Sequence, residues 1–183
     1  MIESKVTVIT EILKHPFNYI FLTGIPEVGK AVMKAEAEHL ASVTLELGGK
    51  SPTIIDETAD LQKAAKRIAF GKWFNNGQVC IAADYVMAHE SIANKFLEEL
   101  KANIIAFYGD DASKSASYNR IINHRHFKRV KEYFQDAISK GATIAFGGNS
   151  NADDNFFEPT IITDVPENCD LLQKEIFGPI LPF

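Results

Sequence analysis

Cysteine is nearly absent from this chain: Cys80 and Cys169 are the two thiols in 183 residues. Two cysteines so far apart make neither a disulfide framework nor a metal-ligand spacing, so no metal site is expected and a reducing, cytoplasmic setting is. No stretch approaches the roughly 18 uncharged apolar residues that a membrane span needs. The opening Met1-Ile2-Glu3-Ser4-Lys5-Val6 lacks the basic and apolar regions of a secretory leader. A dominance of positive charge is lacking too: 19 Lys and Arg stand against 24 Asp and Glu, for a formal net charge of -5. The densest basic run, His124-Arg125-His126-Phe127-Lys128-Arg129, is broken by apolar residues at helical spacing. It reads as the solvated face of a helix rather than as a nucleic-acid surface.

What is present is an ordinary globular composition, 46% hydrophobic and 23% charged, long enough for one to two domains with a substantial core. Apolar periodicity predicts helices over 6–13, 28–40, 61–73, 91–107 and 127–140. Runs of β-branched and aromatic residues predict strands over 18–23, 42–47, 52–55, 84–88, 142–146 and 159–163. The apolar tail Gly178–Phe183 is strand-like, and 108–119 and 149–155 read as polar loops. Strands alternating with helices of these lengths predict an α/β protein with a largely parallel sheet.

Four segments invite a chemical reading. Cys80 follows Phe74-Asn75-Asn76-Gly77-Gln78-Val79, where small and amide residues leave room around a thiol. Its apolar neighbours Val79, Ile81, Ala82 and Ala83 equally suit a buried structural cysteine. As a nucleophile it needs a base or a helix N-terminus. The helix-breaking Asn75-Asn76-Gly77 would let Cys80 open a new turn with its N–H free for an oxyanion. Glu46 ends the apolar strand Val43-Thr44-Leu45 and precedes Gly48-Gly49. Its carboxylate either faces water or sits in a cleft at the carboxyl end of the sheet. Thr23-Gly24-Ile25-Pro26-Glu27-Val28-Gly29-Lys30 is a glycine turn between a strand and a helix, suited to phosphate but matching no three-glycine or Walker fingerprint. Glu175-Ile176-Phe177-Gly178-Pro179 sets a carboxylate and a ring before a turn.

In this order, the segments together resemble the aldehyde dehydrogenase superfamily. Phe21 through Gly29 is similar to its nucleotide-contacting strand-turn-helix. Leu45–Pro52 is similar to its glutamate motif, Gly77–Cys80 to its cysteine motif, and Glu175–Pro179 to its nicotinamide-side motif. Tyr108-Gly109, Tyr118–Asn123 and Arg125–Arg129 look like the class 3 branch, which handles fatty, aromatic and medium-chain aldehydes.

The resemblance implies an aldehyde dehydrogenase-like α/β fold. Residues 1–48 would be the last part of a Rossmann-like nucleotide-binding domain, and 49–183 the first part of a parallel-sheet catalytic domain. It implies oxidation of a small-molecule aldehyde with NAD or NADP. Cys80 would attack the carbonyl, and Glu46 would activate water to hydrolyse the thioester. Cofactor contacts would come from Gly24, Ile25, Val28, Gly29, Leu47, Glu175 and Phe177. Ile25 and Pro26 depart from the family's usual small polar residue and its neighbour, and Lys174 replaces a common acidic residue. The family's chain runs to several hundred residues, so the resemblance also implies a partial chain of weak or no activity alone. A homo-oligomer or a complementary fragment is the partner it implies, and no nucleic acid.

Overall fold

A computed structural model describes residues 6–183. It divides into two compact units, 1–48 and 49–183. In the first unit, α1 (Val6–Ile12) precedes β1 (Tyr19–Gly24), α2 (Pro26–Glu36) and β2 (Ser42–Leu47). The two strands pair in parallel, with Thr23 opposite Glu46 and Gly24 opposite Leu47. Proline is tolerated at the first helical position because its missing N–H has no acceptor there, and so α2 opens at Pro26, earlier than the periodicity predicts. It closes at Glu36 rather than running on to Leu40.

In the second unit, β3 (Pro52–Ile55) pairs in parallel with β4 (Tyr85–Ala88) across α3 (Leu61–Trp73). Asp60 caps α3 by accepting the Lys63 N–H at 3.2 Å. The long α4 (Glu90–Tyr108) lays Phe96, Leu100 and Ile104 into a core shared with Ile68 and Trp73 of α3 and Val86 of β4. Gly109, at φ 79°, ends it in a conformation that L side chains rarely adopt.

α5 (His124–Ser139) starts three residues before its predicted boundary, because Asn123 accepts the His126 N–H at 3.0 Å as its cap. Its apolar stripe of Phe127, Val130, Phe134 and Ala137 meets Phe157, Ile162 and Ile176 in a second core. The remaining elements are β5 (Thr143–Phe146), β6 (Ser150–Asn151), β7 (Phe156–Phe157), β8 (Thr160–Thr163), α6 (Asp170–Gln173) and β9 (Ile180–Pro182). β8 pairs in parallel with β9, but β5 enters antiparallel, so this sheet is mixed. The stretch read as a polar loop carries β6, which pairs antiparallel with β7 just beyond it, where the rings of Phe156 and Phe157 are buried. Tyr118, at the end of the other predicted loop, is buried and donates its hydroxyl to the Phe157 carbonyl at 2.8 Å.

Two buried charges work against this fold. Glu36 ends α2 at 1% exposure, and neither carboxylate oxygen has a hydrogen-bond partner among the described residues. The helix dipole is unfavourable to an anion at that end. Glu36→Leu is expected to raise stability by about 1–3 kcal/mol in urea unfolding. Lys72 of α3 is fully buried, and burial, aided by the Lys50 charge, lowers its ammonium to about 7. Between pH 7 and the usual lysine range the unfolded chain binds the proton that the folded chain has shed. Stability therefore rises with pH across that window, and the penalty is fully present below it. Lys72→Met is expected to raise the melting temperature most at pH 6 and progressively less towards pH 10.

Candidate functional site

In the first unit, the sequence-predicted cofactor contacts gather at the carboxyl ends of β1 and β2. Gly24 ends β1 beside Leu47. Ile25 is the N-cap of α2 and makes no side-chain capping bond. The first-turn N–H groups of Glu27 and Val28 lack intrahelical acceptors, which makes this end of an 11-residue helix suited to an anion. Gly29 is buried, and a Cβ there would lie 3.2 Å from Leu45 Cδ1 and 3.5 Å from Leu47 Cδ2. The glycine therefore lets α2 seat closely on β2. Glu46 is exposed on β2, in register with Thr23.

In the second unit, α3 runs into a 3-10 turn, Phe74–Gly77, in which Asn75 (φ 49°), Asn76 (φ 59°) and Gly77 (φ 73°) are all left-handed. Asparagine is among the few side chains that visit this region readily. A Cβ on Gly77 would collide with the Gly178 carbonyl, so only glycine permits the two segments to touch. Trp73 adds a second tie by donating its indole N–H to the Pro179 carbonyl at 2.8 Å. The cysteine segment is thereby brought against Glu175–Pro179, a juxtaposition across about a hundred residues. Cys80 lies in the turn that follows, closed by the Ala82 N–H to the Val79 carbonyl at 3.0 Å. Its thiol is exposed, whereas Cys169 is the buried one. The new turn expected at Cys80 is present. The Cys80 N–H meets no acceptor among the described residues.

Amide side chains fix this turn to the segment 119–122. Gln78 donates from Nε2 to the carbonyls of Asn75 (3.0 Å) and Arg120 (3.2 Å), and its Oε1 accepts the Ile122 N–H at 2.9 Å. Asn119 donates to Asn75 Oδ1 at 3.1 Å, and Asn76 donates to the Asn119 carbonyl at 3.3 Å. Asn75, Gln78, Asn119, Arg120, Ile122 and Phe177 line a cleft of about 430 Å³, within the size range of small-ligand sites.

The Glu175–Pro179 segment is itself clamped. Asp84, 3% exposed, pairs with Lys50 and accepts the Ile176 N–H at 2.9 Å. Lys50 also donates to the carbonyls of Leu171 (2.9 Å) and Lys174 (3.1 Å). Burial lowers the Lys50 ammonium to about 8, still charged at neutral pH, so the pair with Asp84 persists there. Burial raises the Glu175 carboxyl, while the Gly49 N–H and then the Arg129 and Lys50 charges pull it back. Phe177 is held at φ 43°, a strained conformation for a bulky residue costing about 1–3 kcal/mol.

Sequence reasoning gave no individual role to Lys50, Gln78, Asn119 and Arg129, which lie within its motif segments, or to Asp84. An acidic residue between Ala83 and Tyr85 at the mouth of a buried strand was the available signal for Asp84. Among the described residues, no group of three His, Cys, Asp or Glu side chains could hold a metal ion, and no helix is long and apolar enough to cross a membrane.

Gly77→Ala is expected to cost on the order of 3 kcal/mol or more, from the left-handed backbone and the clash together. Urea unfolding followed by emission of Trp73, the chain's single tryptophan, measures it, because the indole reports on Pro179.

Comparison with known proteins finds one family along the chain. The aldehyde dehydrogenase family pattern covers residues 1–183. The chain is 49% identical over 173 residues to aldehyde dehydrogenase family 3 member A2 of Mus musculus, covering 94% of this chain and 35% of that protein. To the dimeric NADP-preferring aldehyde dehydrogenase of Canis lupus familiaris it is 47% identical, covering 94% and 37%. A substrate-bound structure of Staphylococcus aureus AldH superposes with a TM-score of 0.93 at 41% identity, covering 99% of this chain and 39% of that one. The chain thus spans little more than a third of the length of the relatives it matches. On the family pattern, the identities and the superposition, the chain belongs to the aldehyde dehydrogenase family.

Proposed function

We propose that the chain carries the nucleophile, the base and part of the cofactor surface of an NAD(P)-dependent aldehyde dehydrogenase acting on apolar aldehydes. The observation that supports this most is the exposed Cys80 three residues after Gly77, whose backbone meets the Gly178 carbonyl, in a segment whose Asn75 and Gln78 line a cleft with Phe177 and Ile122. The Cys80 thiolate adds to the aldehyde carbonyl, and its own N–H, together with a further donor, holds the oxyanion. When bound, NAD or NADP supplies the hydride acceptor that turns the thiohemiacetal into a thioester. Glu46 takes a proton from the water that hydrolyses this thioester to the acid.

Residues 1–48 act as the last part of the nucleotide-binding domain and 49–183 as the first part of the catalytic domain. The α2 N-terminus, with Gly24, Ile25, Val28 and Gly29, takes the pyrophosphate side, with Leu47 beside it. The uncapped first turn and the close seating of Gly29 support this fit. Glu175 and Phe177 take the nicotinamide side. Glu175, drawn up by burial, binds best once ionised. The dimeric, NADP-preferring relative supports a homodimer and leaves both nicotinamide cofactors open. Thiols that stay reduced fit a cytoplasmic setting.

A second reading is a non-catalytic piece that binds a complementary chain. It is favoured by Tyr19 and Phe21, exposed on one face of the parallel β1–β2 pair, since parallel sheets are normally covered on both faces.

Formation of reduced nicotinamide by the purified chain, with long-chain and aromatic aldehydes, tests both. Turnover is expected to vanish in Cys80→Ser. In Glu46→Gln it is expected to stall after one equivalent, with deacylation slowed about 10²-fold or more. Turnover surviving Cys80→Ser would sink the mechanism, and a chain that neither turns over nor binds NADH supports the second reading.

A further inference from the structure

A second cluster of reactive side chains lies at the carboxyl ends of β3 and β4, where α/β sheets place their ligands. The register that sets Ile55 opposite Ala88 continues one step, because the His89 N–H donates to the Ile55 carbonyl at 2.9 Å. Asp56 and His89 are thus neighbours across strands about 5 Å apart. The Asp56 carboxyl is lowered below its usual range, chiefly by the Thr58 hydroxyl and N–H, with the His89 charge adding to it. Ser91 stands in the first turn of α4, and its Oγ meets His89 Nδ1 at 2.8 Å. The Ser91 N–H donates to the same nitrogen at 3.3 Å. A main-chain N–H can only donate, so Nδ1 presents its lone pair and Nε2 carries the ring proton. The imidazole therefore faces the serine hydroxyl as a base. One residue further on from each strand end, Glu57 and Ile92 line a cleft of about 380 Å³.

We propose that Asp56, His89 and Ser91 form a second catalytic site, independent of Cys80, that hydrolyses small esters of a cationic alcohol. Ser91 Oγ adds to the ester carbonyl as its proton passes to His89 Nδ1. The Glu90 N–H, which meets no acceptor among the described residues, holds the oxyanion. The bond from carbonyl carbon to alcohol oxygen then breaks, and the alcohol leaves with that proton. Water, deprotonated by the same nitrogen, releases the acid and restores Ser91. Asp56 steadies the imidazolium formed on the way. In the cleft, Ala59 and Leu61 suit the acyl chain. With Asp60 paired to Lys63, Glu57 and Glu99 outweigh Lys95 there and favour a cation. His89 also caps α4, but capping uses only the Ser91 N–H. The hydroxyl, the carboxylate opposite and the cleft are additional to it.

The test uses the full chain carrying Cys80→Ser, which removes acyl chemistry at the exposed thiol. The probes are a fluorophosphonate bearing a trimethylammonium group and its uncharged tert-butyl isostere. Attack by Ser91 forms a phosphorus–oxygen bond and expels fluoride, and peptide mass mapping locates the label. Labelling is expected at Ser91 and is expected to be lost in Ser91→Ala. His89→Gln is expected to slow it about 10²-fold or more. Asp56→Asn, which leaves the cap of α4 in place should the glutamine variant fail to fold, is expected to slow it about tenfold or more. The cationic probe is expected to react about threefold or more faster than the neutral one. Absence of label at Ser91, or an unchanged rate in Asp56→Asn and in a folded His89→Gln, overturns the site. Equal rates for the two probes overturn the cationic substrate class.

Discussion

The contact between the Gly77 backbone and the Gly178 carbonyl is the constraint from which the rest of the second unit follows. Two main chains so close leave no room for a side chain at position 77. The left-handed conformation of that residue is cheap only for glycine. Asn75 and Asn76, the residues that must turn the chain into that approach, are of the type that tolerates the same region and can hydrogen-bond while doing so. The turn is thus built from amides for a backbone reason first. Their bonds to Asn119, Arg120 and Ile122 then fix one wall of the cleft at no further conformational cost.

Electrostatics in this unit serve placement more than stability. Asp84 is taken out of water, and the pairing with Lys50 at best offsets that desolvation. What the pair accomplishes is geometric. One carboxylate oxygen holds Lys50, the other holds the Ile176 N–H, and Lys50 reaches on to two carbonyls. A residue just after the glycine pair that follows β2 is thereby tied to the segment preceding β9. Burial first, and the Lys50 charge second, lower the Lys72 ammonium to about 7.

Much of the fold was legible because apolar period and punctuation agree. α3 and β3 match their predicted bounds residue for residue. The misses have physical causes. The start of α5 was set by the Asn123 cap, which lies outside the apolar stripe. The antiparallel entry of β5 depends on which edge of β8 is open, and the local sequence does not encode that. The motifs around Gly24–Gly29, Glu46, Cys80 and Glu175–Phe177 were legible because they rest on glycine and on chemically distinctive side chains. Lys50, Asp84 and Arg129 were not, since a charged residue in a sequence looks solvated until the fold shows what it faces.

The partners of Lys174–Pro179 share one property. Asp84 takes a main-chain N–H; Lys50, Arg129 and Trp73 take main-chain carbonyls. Clamping a segment by its backbone leaves its side chains uncommitted, and the ring of Phe177 accordingly lines the cleft. On the proposed reading, a ligand arriving there would meet groups whose direction is already set and would lose little ordering entropy on binding. The strain at Phe177 and the buried charges around it are the thermodynamic counterpart of that readiness. They lower the stability of the unit so that one loop without secondary structure can be as well placed as a strand.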